Sequence, residues 1–384
     1  MRVRFALVCL LGVAGCTFVP PEPEPLPVEA INPPADHSEP GVPVGIRTVT
    51  FEGETFEVWY PTHDVLGAAA GADLTLDEFI PASVSDLLEG LSLPPLDSDA
   101  VREAPPRVVP GARPVLLFSH GFGGFRTQSA SLCAHLASRG YIVVSPDHPG
   151  RMLGDVLPCL FDPPLPGCDF SGLGGDDVAV DDLLAARRWV QQEARNPESF
   201  LFGLADAETM GIFGHSAGGG SAMELGGLDP TFSAVMAMAA GASTDADKPT
   251  ALLGGQCDAF ADPASMTDAL GALTDGVWIN VLDSGHMPFS DICALDLGGM
   301  ADELLVGRED VDETFLAQML GLVTSGCPGY LPAEEPACSA EYLPLADSQR
   351  IIRHYVTRFF DHSLRSLGDP ILESVFDDAE VTVP

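Results

Sequence analysis

Residues 210–222 read MGIFGHSAGGGSA, and this stretch decides how the rest of the chain is interpreted. Its apolar start is typical of a buried strand, and the small residues after Ser216 predict a helix over 217–226. A serine on a sharp strand-to-helix turn, with glycine two residues before and two after it, is the pattern of a nucleophile elbow. The five-residue pattern alone is weak in a chain with 40 glycines, but its place at the junction is specific. Ser216 is therefore the candidate nucleophile, and the alternative is a structural serine in a glycine-rich turn.

Strand patterns and helical patterns alternate on both sides of Ser216. The predicted strands are a hairpin of 46–51 and 55–60, followed by 115–119, 141–145, 210–213, 234–239, 250–253 and 277–282. The predicted helices are 127–139, 176–194, 217–226, 263–273 and 347–365. This alternation indicates an α/β fold with a mostly parallel sheet covered by helices on both faces.

Two long connections interrupt this alternation, at about 62–112 and 293–345. The second contains a further predicted helix, 312–323. Each is predicted to be an insertion that forms a lid or an acyl-pocket wall, or that simply packs on the fold.

A serine nucleophile needs a base, and three histidines follow Ser216 in the chain. His354 and His362 lie in the last predicted helix, which is amphipathic, so a surface or packing role is expected for them. His286 instead follows the strand 277–282 in the turn Asp283-Ser284-Gly285-His286, from which it can reach over the sheet edge. His286 is the predicted base.

The base needs an acid to orient it, and the sequence leaves several candidates. Asp258 follows the strand 250–253, so its carboxylate is expected at the carboxyl edge of the sheet, where active-site groups of open α/β sheets belong. Asp245, Asp247 and Asp262 are rivals in loops. Asp258 is preferred, with Asp245 or Asp247 as the main alternatives.

Two backbone amides are expected to hold the oxyanion that forms during acyl transfer. One is the amide of Ala217, directly after the nucleophile at the start of its helix. The other comes from the loop Ser119-His120-Gly121-Phe122-Gly123-Gly124 after an early strand, with Phe122 as the predicted donor. His120 is interpreted as a structural histidine that fixes this loop.

The N-terminus carries a separate signal. Arg2 and Arg4 precede an apolar run, 5–11, that is too short to span a bilayer, and Cys16 follows small residues. The pattern resembles a bacterial lipoprotein signal, which implies removal of residues 1–15 and attachment of lipid to Cys16. The protein is then expected in the bacterial cell envelope, anchored to the outer membrane or cell surface. The alternative is an ordinary secretory signal and a secreted protein.

Prolines dominate the segment that follows, residues 16–45, which is predicted to be an extended tether. The catalytic domain is expected to begin near Ile46 and to span 46–384.

Composition excludes one class of partner. The formal net charge is −38, with 18 Lys plus Arg against 56 Asp plus Glu. A nucleic-acid binder needs a basic surface that displaces counterions from phosphates, so no nucleic acid is expected as a partner. The mean hydropathy of +0.19 is too high for a disordered chain.

Export would make the cysteines candidates for disulfides. Two pairs are closely spaced in loops rich in proline, Cys159 with Cys168 and Cys327 with Cys338. Cys133 lies in a predicted helix and is the predicted unpaired cysteine. None has the spacing of a zinc site.

Four aspartates, Asp176, Asp177, Asp181 and Asp182, fall near the start of the predicted helix 176–194. They are interpreted as charges that complement the helix dipole rather than as metal ligands.

Several motifs in a fixed order carry a family resemblance. They are VWYP at 58–61, FSHGFGGFRT at 118–127, HLASRGY at 135–141, PDHPG at 146–150, GHSAGG at 214–219 and SGHMPFSD at 284–291. Together they resemble the bacterial proteins called predicted dienelactone hydrolases, which are similar to the plasma-type platelet-activating-factor acetylhydrolases. The resemblance covers about residues 46–365.

This resemblance implies an α/β-hydrolase fold and a serine esterase for short acyl esters that needs no metal or organic cofactor. It assigns Ser216 as nucleophile, His286 as base, and Phe122 and Ala217 as oxyanion donors. A small-molecule or lipid ester is the implied substrate, with acetylated short-chain phospholipids as one possibility, while the oligomeric state is left open.

The chain departs from this pattern at the acid. In the plasma-type enzymes the acid follows the strand directly after the nucleophile helix, but here no carboxylate occurs there before Asp245. An acid at Asp258 is similar instead to cutinase-like polyester hydrolases, so a polyesterase or lipase is the alternative activity. True dienelactone hydrolases use cysteine where Ser216 stands. A hypothesis of another class is a surface lipoprotein that binds a ligand on this scaffold without turnover.

Overall fold

The computed structural model describes residues 30–63, 74–85, 95–96, 98–107, 109–169, 176–241, 247–258, 260–295 and 342–384. The predicted helix 312–323 and the pair Cys327 and Cys338 lie outside these residues, as do Cys16 and Asp245.

The strands of the described chain form one ten-stranded sheet. They are β1 Val44–Phe51, β2 Glu54–Pro61, β3 Val101–Arg102, β4 Arg113–Ser119, β5 Ile142–Pro146, β6 Ala205–His215, β7 Phe232–Met238, β8 Thr250–Gly255, β9 Gly276–Val281 and β10 Ala379–Thr382. Their order in the sheet is β10-β9-β8-β7-β6-β4-β5-β2-β1-β3. The six neighbouring strands β9-β8-β7-β6-β4-β5 are parallel to one another. Strand β2 pairs antiparallel with β1 and β5, and β10 pairs antiparallel with β9.

Helices cover both faces of this sheet. They are α1 Ala82–Ser85, α2 Ala130–Ser138, α3 Leu153–Val156, α4 Asp176–Glu193, α5 Ala217–Leu228, α6 Pro263–Leu270 and α7 Leu345–Arg365. Short 3-10 turns occur at Leu76–Phe79, Leu157–Leu160, Met287–Phe289 and Ile292–Ala294.

Alternate residues of the central strands pack into two separate cores. In β4, Leu116 and Phe118 lie in the core beneath α2 and α7, whereas Val115 and Leu117 lie in the core beneath α4, α5 and α6. A strand that is buried on both faces needs apolar residues at successive positions, which explains its continuous apolar run. The predicted mostly parallel sheet with helices on both faces is confirmed.

Residues 30–43 lie in the predicted tether, yet they pack against the domain. The guanidinium of Arg139 donates to the carbonyl oxygens of Pro34, Asp36 and Glu39 at 2.8–3.0 Å. Ile31 is buried against Gly140. The packed part of the chain therefore extends upstream of Ile46, while the tether prediction for the residues before position 30 stays a prediction.

The cysteine predictions that fall on described residues are confirmed. Cys159 and Cys168 form a disulfide, and Cys133 is free and buried. Cys257 and Cys293 are also disulfide-bonded. None of the helices in the described ranges is both long enough and apolar enough to span a membrane.

Candidate active site

Ser216 sits at the tip of the turn that joins β6 to α5. Its backbone has φ of 56° and ψ of −127°, a conformation rare for residues other than glycine. A Cβ on Gly214 would overlap the backbone of Gly218, and a Cβ on Gly218 would overlap the carbonyl of Ser119. Both glycines are thus required by close backbone contact, and the turn is a nucleophile elbow in geometry as well as in sequence.

The structure brings Ser216, His286 and Asp258 together from three separate loops. His286 Nε2 lies 2.9 Å from Ser216 Oγ, and His286 Nδ1 lies 2.8 Å from Asp258 Oδ2. Because the carboxylate accepts the Nδ1 proton, Nε2 is left as an acceptor for the serine hydroxyl. The aspartate and the histidine are buried and the serine is half-buried, so the hydroxyl lies at the accessible end of the relay.

Asp258 is held in its charged form by its neighbours. Burial alone would raise its pKa, but the hydrogen bond and charge of His286 and two backbone amides outweigh that effect, so the pKa of Asp258 lies below its usual value. The amides of Phe260 and Ala261 donate to Oδ1 at 2.8 and 3.0 Å. An ionised carboxylate at this position can fix the ring of His286 and stabilise its protonated form.

The rival aspartates occupy other places. Asp262 caps α6 and accepts from the amides of Ala264 and Ser265. Asp247 is exposed, and Asp245 lies outside the described residues. Within the described ranges, Asp258 is the candidate acid that contacts His286.

The loop 120–124 lies directly against the nucleophile. A Cβ on Gly121 would come 3.2 Å from the Cβ of Ser216. The amide of Gly121 donates to Gln128 Oε1, that of Gly123 to the carbonyl of Arg151, and that of Gly124 to the carbonyl of Gly121. These three amides therefore each have an acceptor within the protein.

The predicted donor from this loop is the amide of Phe122. Ala217 is the first residue of α5, where a helical amide has no acceptor within the helix. The roles of both amides stay predictions.

His120 has the surroundings of a structural residue. Its Nδ1 donates to the carbonyl of Gly121 at 2.8 Å. Burial, followed by the charge of Arg151, lowers the pKa of His120 to about 3, so the ring is neutral. A neutral, buried ring bound to its own loop agrees with the interpretation of His120 as a loop-fixing residue.

The interpretation of Asp182 as a helix-dipole charge is wrong. Asp182 is buried, and its Oδ2 lies 2.9 Å from His148 Nδ1, while His148 Nε2 lies 2.9 Å from Ser119 Oγ. Burial and the nearby Glu54 raise the pKa of Asp182 to about 8, and burial lowers that of His148. The sequence did contain a signal, because Asp182 shares one helical stripe with the buried residues Ala179, Leu183 and Ala186.

An apolar side chain lies beside the base. The ring of Phe260 lies 5.3 Å from the ring of His286 and is 50% exposed, so it offers an accessible apolar surface beside the base. Among the residues that the structure describes, no group of three His, Cys, Asp or Glu side chains is placed to hold a metal ion.

Comparison with known proteins finds both sequence similarity and structural similarity. The family model described as platelet-activating factor acetylhydrolase, isoform II, matches residues 52–152. The matched part runs from β2 through the loop 120–124 to the PDHPG motif, about a quarter of the chain. The predicted resemblance to that family is confirmed for this part.

A solved structure has a similar fold over most of the chain. A ferulic acid esterase from Streptomyces cinnamoneus aligns with a TM-score of 0.57 and 23% sequence identity, covering 88% of this chain and 96% of that chain. The chain has the α/β-hydrolase fold. The family match supports the prediction of a carboxylic ester hydrolase, and the structural match supports the fold.

Proposed function

We propose that the protein is a serine carboxylic-ester hydrolase that works through an acyl-enzyme. The observation that carries the proposal is the buried relay from Asp258 through His286 to Ser216, placed on a nucleophile elbow. A non-catalytic binding protein has no use for a strained serine that is hydrogen-bonded to a base with its own orienting acid.

The geometry supports a two-step reaction. His286 Nε2 takes the proton from Ser216 Oγ, which attacks the ester carbonyl carbon, and the amides of Ala217 and Phe122 stabilise the oxyanion. The tetrahedral intermediate collapses, the bond to the alcohol oxygen breaks, and His286 returns the proton to the leaving alcohol. Water then attacks the acyl-enzyme with His286 as base, which releases the carboxylic acid and restores Ser216.

The substrate class is proposed from the family likeness. The matched family is named for an acetylhydrolase, which favours short acyl groups, including acetyl groups on phospholipids. The position of Asp258 after β8 favours a second candidate, a cutinase-like polyesterase or lipase. The half-exposed Phe260 beside His286 suits the apolar part of either substrate.

The cellular place is a separate proposal, which rests on residues 1–16 alone. The protein is exported and anchored to the bacterial envelope through lipid on Cys16. An anchored esterase would meet lipid or polymeric esters at a surface.

A panel of p-nitrophenyl esters from acetate to palmitate tests the activity and the acyl length together. The wild-type protein should hydrolyse acetate or butyrate fastest, and Ser216→Ala should retain less than a few per cent of that rate. Release of acid from a polyester film, compared with turnover of an acetylated phospholipid, separates the two substrate classes. Failure of the wild-type protein to hydrolyse any ester would favour a binding protein instead.

A further inference from the structure

Gln128 uses both ends of its side-chain amide beside the candidate site. It is buried two residues before α2. Its Oε1 accepts from the amide of Gly121 at 3.1 Å, and its Nε2 lies 2.8 Å from His215 Nδ1. Because the oxygen faces a donor, the amide orientation is fixed, and Nε2 must donate to His215.

His215, the residue before the nucleophile, continues this chain of hydrogen bonds. Its Nδ1 accepts from Gln128, so the ring proton is on Nε2, which donates to the carbonyl oxygen of His286 at 3.1 Å. Burial lowers the pKa of His215 to about 3, and the ring therefore stays neutral. A neutral ring gives each of its two nitrogens one defined role.

Two glycines make room for these contacts. A Cβ on Gly124 would overlap Gln128 Oε1, and a Cβ on Gly121 would come 3.4 Å from His215 Nδ1. Gly124 is thus explained by the close approach of Gln128, and Gly121 by that of Ser216 and His215.

We infer that Gln128 and His215 are positioning residues that couple the oxyanion loop, the nucleophile elbow and the backbone of His286. The inference rests on the proposed function, because it assigns these two side chains to support of that site. The three coupled parts follow three different strands, β4, β6 and β9. Strands β4 and β6 pair directly, whereas β7 and β8 lie between β6 and β9. A misplacement of about 1 Å among reacting groups lowers rates by about 100-fold, so such a link affects catalysis without touching substrate.

Two single variants and their combination test the coupling. Gln128→Met removes both hydrogen bonds at similar volume, and His215→Phe keeps a ring but loses both nitrogens. Each should lower kcat for p-nitrophenyl butyrate about 10- to 100-fold with KM within about twofold. Because the two residues act as one unit, the double variant should be about as slow as the slower single variant rather than showing the product of both losses.

Tyr141→Phe is the matched control. It removes a buried hydrogen bond, 2.7 Å from Tyr141 OH to Asp361, that joins the region around α2 to α7 away from the candidate site. We expect it to lower the melting temperature and to leave kcat within about twofold of the wild-type value. If Gln128→Met fails to fold, Gln128→Glu replaces it, because the carboxylate keeps an acceptor for Gly121 and removes the donor to His215.

The outcomes separate the inference from the function on which it rests. Folded variants with wild-type kcat, or losses that multiply in the double variant, would overturn the coupling. Full activity of Ser216→Ala would overturn the proposed function itself, whatever the positioning variants do.

Discussion

His286 and the amides of Phe260 and Ala261 stabilise the charged form of Asp258. Replacing Asp258 therefore tests its role as the acid. Asp258→Asn keeps the shape but cannot accept the Nδ1 proton of His286 as a carboxylate does. The ring then loses the tautomer in which Nε2 can accept from Ser216. By analogy with other serine hydrolases, kcat should fall by about 10³- to 10⁴-fold with little change in KM.

Asp247→Asn and Asp245→Asn are the controls for that measurement. Asp247 is exposed, so its variant should keep kcat within about twofold of the wild-type value. A large loss of kcat in Asp245→Asn or Asp247→Asn, with a small one in Asp258→Asn, would show that the acid is misassigned.

Asp182 should make stability depend on pH. Burial raises its folded-state pKa to about 8, whereas an unfolded aspartate titrates near 4. The folded state therefore holds a proton that unfolding releases, so this contribution is complete below about pH 4 and is lost as the pH rises through about 8. Asp182→Asn stays neutral and lacks this dependence.

Urea unfolding of both proteins between pH 5 and pH 9 measures the effect. The stability of the wild-type protein relative to Asp182→Asn should decline from pH 5 to about pH 8 and level off above that. The exposed Asp268→Asn in α6 is the control and should follow the wild-type curve. A difference between wild type and Asp182→Asn that is constant with pH would contradict the assignment.

The residues of the relay differ in how far the sequence could identify them. Ser216 has a local pattern, and His286 was the one downstream histidine outside the amphipathic last helix. The sequence could not identify the acid as clearly, because several loop aspartates follow Ser216. Only the three-dimensional structure shows which of them contacts His286. Gln128 and His215 act through contacts between segments that are distant in sequence. No spacing pattern in the sequence could therefore predict their role.

The elbow itself provides a test at the level of one structural element. A Cβ on Gly218 would overlap the carbonyl groups of Ser119 and His120, so β4 and α5 cannot both keep their places in Gly218→Ala. We expect the free energy of unfolding to fall by about 1–3 kcal/mol, together with lower esterase activity.

Gly241→Ala is the matched substitution. No described residue lies within 4 Å of a Cβ built on Gly241, so stability and activity should stay close to the wild-type values. Equal effects of the two substitutions in thermal unfolding would argue against close packing at the elbow.

The central elements were predictable because their patterns are strong. The predicted strands from 115 to 282 match β4–β9, and the last predicted helix matches α7 within two residues at its start. The strand β10 was missed because the sequence AEVT is short and partly polar, and it gains its structure from pairing with β9. The docking of residues 30–43 was missed because Arg139 binds backbone carbonyls there and Ile31 is a single buried apolar residue, which together leave no periodic pattern.

At the scale of the whole molecule, the N-terminal signal predicts where the enzyme works. Cys16→Ser should abolish lipid attachment and move the protein from the membrane pellet to the soluble fraction of a bacterial host. Hydrolysis of a soluble ester should be unchanged, because the candidate site is built from Ser216, Asp258 and His286. Equal partitioning of the variant and the wild-type protein would argue for an ordinary secretory signal.

The central claim is that Ser216 is an activated nucleophile. Incubation of the folded protein with a fluorophosphonate, followed by peptide mass spectrometry, tests it most directly. We predict one phosphonyl adduct per chain, located on Ser216, formed at a rate that falls sharply in Asp258→Asn and absent from Ser216→Ala. No adduct on the folded wild-type protein, or an adduct on another residue, would contradict the account.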